Sequence, residues 1–216
     1  MTEDGENYES LLREYQDPKT LSFKKMRIID SHIVRGKTSL LDIGIGTGEL
    51  IKLEKGKFDE IIGIDVDDRA IEISKKRFCD DPRVSISKAD IRCLQEIFPK
   101  EKFDYVTCLD VLEHITVKDC RSALKSIYGI MKENGILLIT TPGIFDKMKI
   151  IAGKSRLHRQ AHTSYGWASI YQNAGFDVIS VETVEFPLIR SEFLRKRLHI
   201  LGKCCLVTCM KKPLKS

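Results

Sequence analysis

Glycines at alternate positions are the first feature of the sequence whose spacing could do chemistry. The apolar run 39–43, typical of a β-strand, leads directly into Gly44, Gly46 and Gly48, and a helical pattern follows. Glycines in a strand-to-helix turn allow a tight bend without Cβ atoms, so a ligand can approach the backbone and the helix N-terminus closely. The spacing therefore predicts a ligand-binding turn at residues 44–48.

Acidic residues around this turn distinguish between classes of ligand. A dinucleotide fingerprint, G-x-G-x-x-G, would require glycine where Glu49 stands. Asp42 instead precedes the first glycine by two positions, and a carboxylate there suits a ligand with a positive amino group better than a pyrophosphate. A second acid, Asp65, ends the next apolar run. The pattern favours an amino-group ligand over a nicotinamide dinucleotide.

The pattern from Asp42 to Gly48 resembles the first motif of class I S-adenosylmethionine-dependent methyltransferases. The resemblance covers roughly residues 20–185, and four motifs occur in the family's order. It implies that S-adenosylmethionine is the cofactor and that Asp65 binds both ribose hydroxyls, since two acceptor oxygens fit two hydroxyl donors. The other cofactor-binding residues that the resemblance implies are Val66 and Ile91 on the adenine, Asp90 on its exocyclic amine, and Leu109 at the methionine end.

The string Asp110-Val111-Leu112-Glu113-His114 follows the predicted fourth strand, where the acceptor is expected in such a sheet. Methyl transfer from a sulfonium needs proximity, alignment and, for a hydroxyl nucleophile, deprotonation. His114 is the candidate base because neutral imidazole accepts a proton near pH 7; its alternative role is a hydrogen bond within the loop. The string resembles ubiquinone-pathway O-methyltransferases and related small-molecule enzymes, which implies a small or lipophilic acceptor.

A divalent metal site is an alternative at the same string. If the string forms a helical turn, Asp110, Glu113 and His114 share one face, and with His158 or His162 they could bind a metal that activates a hydroxyl. Some ubiquinone-pathway and small-RNA 2′-O-methyltransferases use a comparable acid-x-x-Glu-His cluster. We favour His114 as a base and assign no metal ligands.

Short β-type runs alternate with helical patterns along the chain, as in a mainly parallel sheet with helices on both faces. The predicted fold class is α/β: a Rossmann-like three-layer α/β/α sandwich with a mainly parallel seven-stranded sheet and an antiparallel last strand. The predicted strands are 39–43, 60–64, 84–88, 103–109, 135–141, 176–184 and 204–210. The predicted helices are 21–34, 49–55, 67–78, 91–97, 164–173 and a helix that Thr116 caps and that ends at Lys132.

Length and composition set the wider expectations. The 216 residues, 42% apolar and 31% charged, predict one domain over 1–216 with an N-terminal helical lid at 1–36. No apolar run approaches the ~20 residues of a membrane span, and the polar N-terminus is unlike a secretory signal, so a cytoplasmic protein is expected. Seven cysteines without a C-x-x-C pair argue against a disulfide framework or a zinc site, and Cys108 and Cys120 are expected in the core.

The basic charge lies in the last third of the chain. Residues 144–216 contain 13 lysines and arginines but 5 acids. The segments 144–163 and 186–203 mix basic with apolar residues, and we expect them on the substrate side. Such segments can contact an anionic membrane or a lipid-like substrate, can bind RNA phosphates, or can cover the sheet edge with solvated charges.

The predicted function is S-adenosylmethionine-dependent O-methylation of a small or lipophilic acceptor. One alternative is an RNA methyltransferase, which the absence of a recognised RNA-binding motif makes the less favoured choice. The other alternative, from a different class, is a non-catalytic S-adenosylmethionine-binding regulator or partner subunit.

Overall fold

The structure, a computed structural model, describes residues 13–17, 19–34, 36, 38–143, 159–160, 162–184 and 204–212. The chain divides into two compact units, residues 1–89 and 90–216. Within the described ranges, no helix is both long enough and apolar enough to span a bilayer.

The first unit contains three parallel strands in the order β3-β2-β1. They are β1 (Ser39–Ile43), β2 (Glu60–Asp65) and β3 (Val84–Lys88). All five residues of β1 are buried, as expected of a strand covered on both faces. The carboxyl ends of these strands lie at one edge, because parallel strands run in the same direction.

Three helices whose bounds lie within the described ranges belong to the same unit. They are α1 (Leu21–His32), α2 (Glu49–Glu54) and α3 (Asp68–Arg77), with a 3₁₀ turn, Lys55–Lys57, after α2. Side-chain caps start two of them: Thr20 accepts from the Phe23 amide before α1, and Asp67 accepts from the Arg69 amide before α3. α3 packs against β2 and β3, so its position is set by the sheet.

An ion cluster that includes the buried Glu54 attaches the end of α1 to the turn after α2. Lys57 Nζ lies 2.7 Å from Asp30 Oδ1 and 2.9 Å from Glu54 Oε2, and it donates to the carbonyl of Ile33 at 3.0 Å. Glu54 is fully buried. Burial raises the pKa of its carboxyl to about 7, against the lowering effect of Lys57.

The second unit contains four strands in the order β4-β5-β7-β6. They are β4 (Phe103–Leu109), β5 (Met131–Pro142), β6 (Phe176–Val184) and β7 (Cys204–Lys211). β4 and β5 are parallel, whereas β7 runs antiparallel to both β5 and β6. The predicted antiparallel last strand is confirmed.

The helical segments of the second unit lie before and between these strands along the chain. They are a 3₁₀ turn (Ile91–Cys93), α4 (Leu94–Ile97), a 3₁₀ turn (Leu112–His114), α5 (Val117–Ile130) and α6 (Ser164–Asn173). Thr116 caps α5 as predicted, by accepting from the Asp119 amide. α5 buries its apolar stripe, and α6 buries Trp167 and Tyr171. Cys108 and Cys120 are buried free thiols, as expected.

The boundary between α5 and β5 differs from the prediction. The helix ends at Ile130, and the strand begins at Met131 rather than at residue 135. Met131 is extended and pairs with Phe103. Met131 is apolar and would be buried whether it ended the helix or began the strand, so helical periodicity could not place the boundary between the two elements. The predicted α/β, Rossmann-like class is otherwise confirmed by the strands, by their parallel and antiparallel pairings, and by the helices between them.

Candidate functional site

The glycine turn (residues 44–48) is fixed to the end of β2 by main-chain hydrogen bonds. The amides of Gly44 and Ile45 both donate to the Ile64 carbonyl, at 2.8 and 3.0 Å, and the Gly48 amide donates to the Ile45 carbonyl at 2.9 Å. Gly44, Gly46 and Gly48 have φ values of 74°, 52° and 78°. These left-handed conformations are costly for residues with a Cβ atom, which explains the alternating spacing.

Gly48 is required for a second, steric reason. A Cβ atom at this position would lie 2.5 Å from Cε2 of Phe78. Gly46 differs, since a Cβ there would meet nothing within 4 Å. The turn is therefore crowded where it joins α2 and open at Gly46, where a ligand could approach the backbone.

Asp65 joins the end of β2 to the glycine turn. Its Oδ2 accepts from the Gly46 amide at 3.0 Å, and its Oδ1 accepts from the Asp67 amide at 3.0 Å. A carboxylate oxygen can accept two hydrogen bonds, so each oxygen retains capacity for a hydroxyl donor. The next residue, Val66, is 60% exposed. These two acceptor oxygens beside an exposed apolar side chain fit a ribose beside an aromatic base.

Asp42, the acid at the start of the first motif, lies in the interior of the first unit. It is the fourth residue of β1, pairs with Gly63 of β2, and is 3% exposed. Its carboxylate is thus placed two residues before the first glycine, as the sequence predicted, in surroundings where a charge requires polar partners.

Two side chains of α3, which the sequence analysis did not single out, support the glycine turn. Ser74 donates to the Gly46 carbonyl at 2.8 Å, and Arg77 donates to the Thr47 carbonyl at 2.7 Å. Ser74 is fully buried among the apolar positions of α3. A polar residue on the buried face of a helix was the signal that could have identified it.

In the second unit, Asp90 is held by a neighbouring arginine. Arg92 Nε and Nη2 lie 2.9 and 2.5 Å from the two carboxylate oxygens, and the Arg92 amide donates to Oδ1 at 2.9 Å. The guanidinium lowers the pKa of the Asp90 carboxyl, so Asp90 is an ionised acceptor. Ile91 is only 5% exposed. Sequence reasoning missed Arg92, which gave no motif signal.

The acceptor turn (residues 110–115) follows β4, which ends at the half-buried Leu109. Asp110 has a φ of 55°, and its amide donates to the Thr140 carbonyl at 3.0 Å. The Thr140 hydroxyl in turn donates to Asp110 Oδ1 at 2.9 Å. His114 ends the 3₁₀ turn with an exposed side chain, where a substrate could reach it.

The helical-turn premise of the metal alternative is wrong. Asp110 adopts a left-handed conformation outside the 3₁₀ turn, so it does not share a helical face with Glu113 and His114. Among the residues that the structure describes, no group of three or more His, Cys, Asp or Glu side chains could hold a metal ion. His158 lies outside those residues.

The predicted substrate-side segments are mostly outside the described part of the chain. Only 159–160 and 162–163 are described from the first segment, and none of 186–203 is described. Contact with a membrane, a lipid-like substrate or RNA through these segments stays a prediction.

Comparison with known proteins agrees with the sequence motifs. Residues 41–137 match the family model of a methyltransferase domain. A ubiquinone biosynthesis O-methyltransferase of Rhodopseudomonas palustris (strain HaA2) is 36% identical over 104 residues, which are 47% of this chain and 39% of that protein. The putative methyltransferase YqeM of Bacillus subtilis is 28% identical over 148 residues, 67% of this chain and 58% of that protein. The chain thus spans about two-fifths to three-fifths of the length of these relatives.

Solved structures show the same fold. A SAM-dependent methyltransferase from Archaeoglobus fulgidus has a TM-score of 0.67 at 20% identity, covering 94% of this chain and 99% of that one. The N-methyltransferase NodS from Bradyrhizobium japonicum WM9, in complex with S-adenosyl-L-homocysteine, has a TM-score of 0.68 at 18% identity, covering 95% and 98%. Residues 41–137 are therefore similar to a methyltransferase domain, and the fold is similar to that of S-adenosylmethionine-dependent methyltransferases.

Proposed function

We propose that the protein transfers a methyl group from S-adenosylmethionine to an oxygen atom of a small or lipophilic acceptor. The observation that carries the proposal is the geometry of Asp65, whose two oxygens bind the backbone on either side and still have capacity for two hydroxyl donors. The fingerprint of a nicotinamide-dinucleotide site would require glycine at position 49, where a glutamate stands.

In the first unit, each cofactor-binding residue has a separate role. Asp42 attracts the amino group of the methionine moiety, and Asp65 accepts from both ribose hydroxyls. Val66, with most of its side chain exposed, packs on the adenine. The glycine turn lets the cofactor approach the main chain at Gly46, where no atom would meet a Cβ within 4 Å.

In the second unit, Asp90 accepts from the exocyclic amine of adenine. Arg92 keeps this carboxylate ionised, and an ionised carboxylate is a stronger acceptor for the amine than a neutral one. Ile91 and Leu109 provide apolar contact, Ile91 through the small part of its surface that is accessible.

When bound, S-adenosylmethionine supplies an activated methyl group on a sulfonium. In our proposal the imidazole of His114 takes the proton of the acceptor hydroxyl while the oxygen forms its bond to the methyl carbon and the sulfur–methyl bond breaks. His114 suits this role because its side chain is exposed at the end of a turn whose backbone is fixed on both sides. The O-methyltransferase names of several relatives support oxygen as the target atom.

Incubation with methyl-labelled S-adenosylmethionine and fractionated cell extract tests the proposal. We expect label in the small-molecule or lipid fraction, and His114→Ala should slow transfer about 100-fold while leaving cofactor affinity unchanged. Lys118→Ala, an exposed substitution four residues further on, is the matched control. Label in RNA would contradict the small acceptor, and intact cofactor binding without transfer to any fraction would favour a non-catalytic regulator.

A further inference from the structure

Gln160 is a buried residue shortly before α6 that binds the acceptor turn from a distant part of the chain. Its Nε2 donates to the carbonyls of Leu112 and Ile115, at 2.8 and 3.2 Å. Its own amide donates to the Glu113 carbonyl at 3.3 Å. One residue, 5% exposed, therefore engages carbonyls on both sides of His114.

These bonds fix the orientation of the Gln160 side-chain amide. Carbonyl oxygens only accept, so the amide nitrogen faces Leu112 and Ile115 and the amide oxygen points away from them. That oxygen, Oε1, lies 3.3 Å from Nε2 of His162. Because Oε1 can only accept, His162 Nε2 carries the hydrogen, which defines one of the two neutral tautomers.

A buried thiol of the same unit is influenced by this side chain. Burial raises the pKa of the Cys120 thiol of α5 to about 11, whereas the Gln160 side chain acts to lower it. The thiol is therefore protonated near neutral pH. The amide nitrogen and oxygen of Gln160 serve two different sets of groups, the nitrogen the turn carbonyls and the oxygen His162.

We propose that Gln160 is a positioning residue for the acceptor end of the second unit. It fixes the backbone of the turn that presents His114, and it holds His162 in the Nε2–H tautomer. The role of His114 rests on the proposed function, whereas the tautomer of His162 follows from the hydrogen bonds alone. A shift of the base by about 1 Å can cost about 100-fold in rate, so such positioning has a measurable effect.

Histidine tautomers can be read directly from two-bond ¹H–¹⁵N spectra of the full chain labelled with ring-¹⁵N histidine. At a pH above the imidazole range we expect His162 as the Nε2–H tautomer, with its signals assigned by their loss in His162→Gln. Gln160→Leu should give a tautomer mixture at His162 and displaced His114 signals. Gln172→Leu, on the exposed side of α6, should change neither.

The variant Gln160→Glu separates the two effects and serves if Gln160→Leu fails to fold. It keeps an acceptor for His162 but loses the donor to the turn carbonyls, so His162 should retain its Nε2 hydrogen while the His114 signals move. An Nδ1–H tautomer in the unaltered protein, or unchanged His162 and His114 signals in a folded Gln160→Leu, would overturn the proposal. A lower melting temperature with unchanged signals would do so as well.

The spectra need neither cofactor nor acceptor, so the result is independent of whether methyl transfer is found. If label transfer is detected, Gln160→Leu should lower kcat about 10-fold or more with KM for S-adenosylmethionine unchanged. An unchanged kcat would contradict the proposed effect of Gln160 on His114 and would leave only its effect on the tautomer of His162.

Discussion

The glycine turn and the acceptor turn both contain left-handed backbone, the acceptor turn at Asp110 alone, but the two turns are fixed by different means. Residues 44–48 are fixed by glycine φ values and by main-chain bonds to the end of the neighbouring strand β2, with side chains of Asp65, Ser74 and Arg77 as further support. Residues 110–115 contain no glycine and are fixed by Thr140 and Gln160, each through its side chain and through a main-chain bond. A turn whose shape depends on its own glycines can be recognised from their spacing in the sequence. A turn held by residues that are distant in sequence cannot be recognised in this way.

The largest expected effect comes from breaking the glycine turn where it is most crowded. Gly48→Ala places a Cβ 2.5 Å from the Phe78 ring at a φ of 78°. Strain and overlap together should lower the free energy of unfolding by about 2–4 kcal/mol. Urea unfolding measures this loss, and calorimetry should show weakened cofactor binding in any folded fraction.

Gly56→Ala is the matched control for that substitution. Gly56 has an ordinary φ, and a Cβ there would meet nothing within 4 Å. We expect a change within about 0.5 kcal/mol. Equal stability losses for Gly48→Ala and Gly56→Ala would show that the glycine turn does not depend on its left-handed backbone.

An effect of intermediate size is expected in the pH dependence of the free energy of unfolding, and it comes from Glu54 in the first unit. The pKa of Glu54 is raised from 4.5 to about 7 by burial, so between these values the folded protein binds more protons than the unfolded chain. The free energy of unfolding should therefore fall as pH rises from about 4.5 through 7, on the order of 2 kcal/mol in total. The raised pKa values of Cys120 and Cys205, about 11 and 12, lie above this window in the second unit.

Equilibrium unfolding of the unaltered protein and Glu54→Gln across this pH range measures the effect as a difference. The glutamine cannot ionise, so its curve should lack the Glu54 contribution. Curves that stay parallel from pH 4.5 to 8 would contradict a buried carboxyl with a raised pKa.

The smallest expected effect concerns the side-chain support of the acceptor turn. Thr140→Val removes the hydroxyl that donates to Asp110 at 2.9 Å while keeping the shape of a fully buried side chain. We expect a loss of about 1 kcal/mol in the free energy of unfolding. Thr208→Val is the control, because the Thr208 hydroxyl has no hydrogen-bond partner in the described structure.

Thr208→Val should be neutral or stabilising, since it removes a buried polar group that lacks a partner. Chemical denaturation of both variants gives the comparison. If the two substitutions cost the same, the bond from Thr140 to Asp110 does not hold the acceptor turn.

The sequence predicted the fold because its elements have local signals. Thr116 marked the start of a helix, and the strand at 39–43 is observed with the predicted bounds. The end of α5 was missed because Met131 is apolar and buried in either conformation. Sequence periodicity indicates which face of an element is buried. A single apolar residue at a boundary fits the helical period and the strand period equally well, so it does not show to which element it belongs.

The candidate site was predicted in part for the same reason. Gly48 is the N-cap of α2 and Asp65 ends β2, and at both places residue type follows from conformation and hydrogen bonding. Arg92, Ser74 and Gln160 act through side-chain bonds to groups that the fold brings near, and Gln160 lies about 45 residues from the carbonyls that it binds. No local spacing encodes such a contact.

Binding of the cofactor product to the glycine turn tests the central claim most directly. Titration calorimetry with S-adenosylhomocysteine should show a binding heat in the unaltered protein, and Asp65→Ala should weaken affinity at least about tenfold. Asp68→Ala, with a carboxylate that is 82% exposed, should bind normally, and a nicotinamide dinucleotide should give no heat. Heat with the dinucleotide and none with S-adenosylhomocysteine would contradict the account.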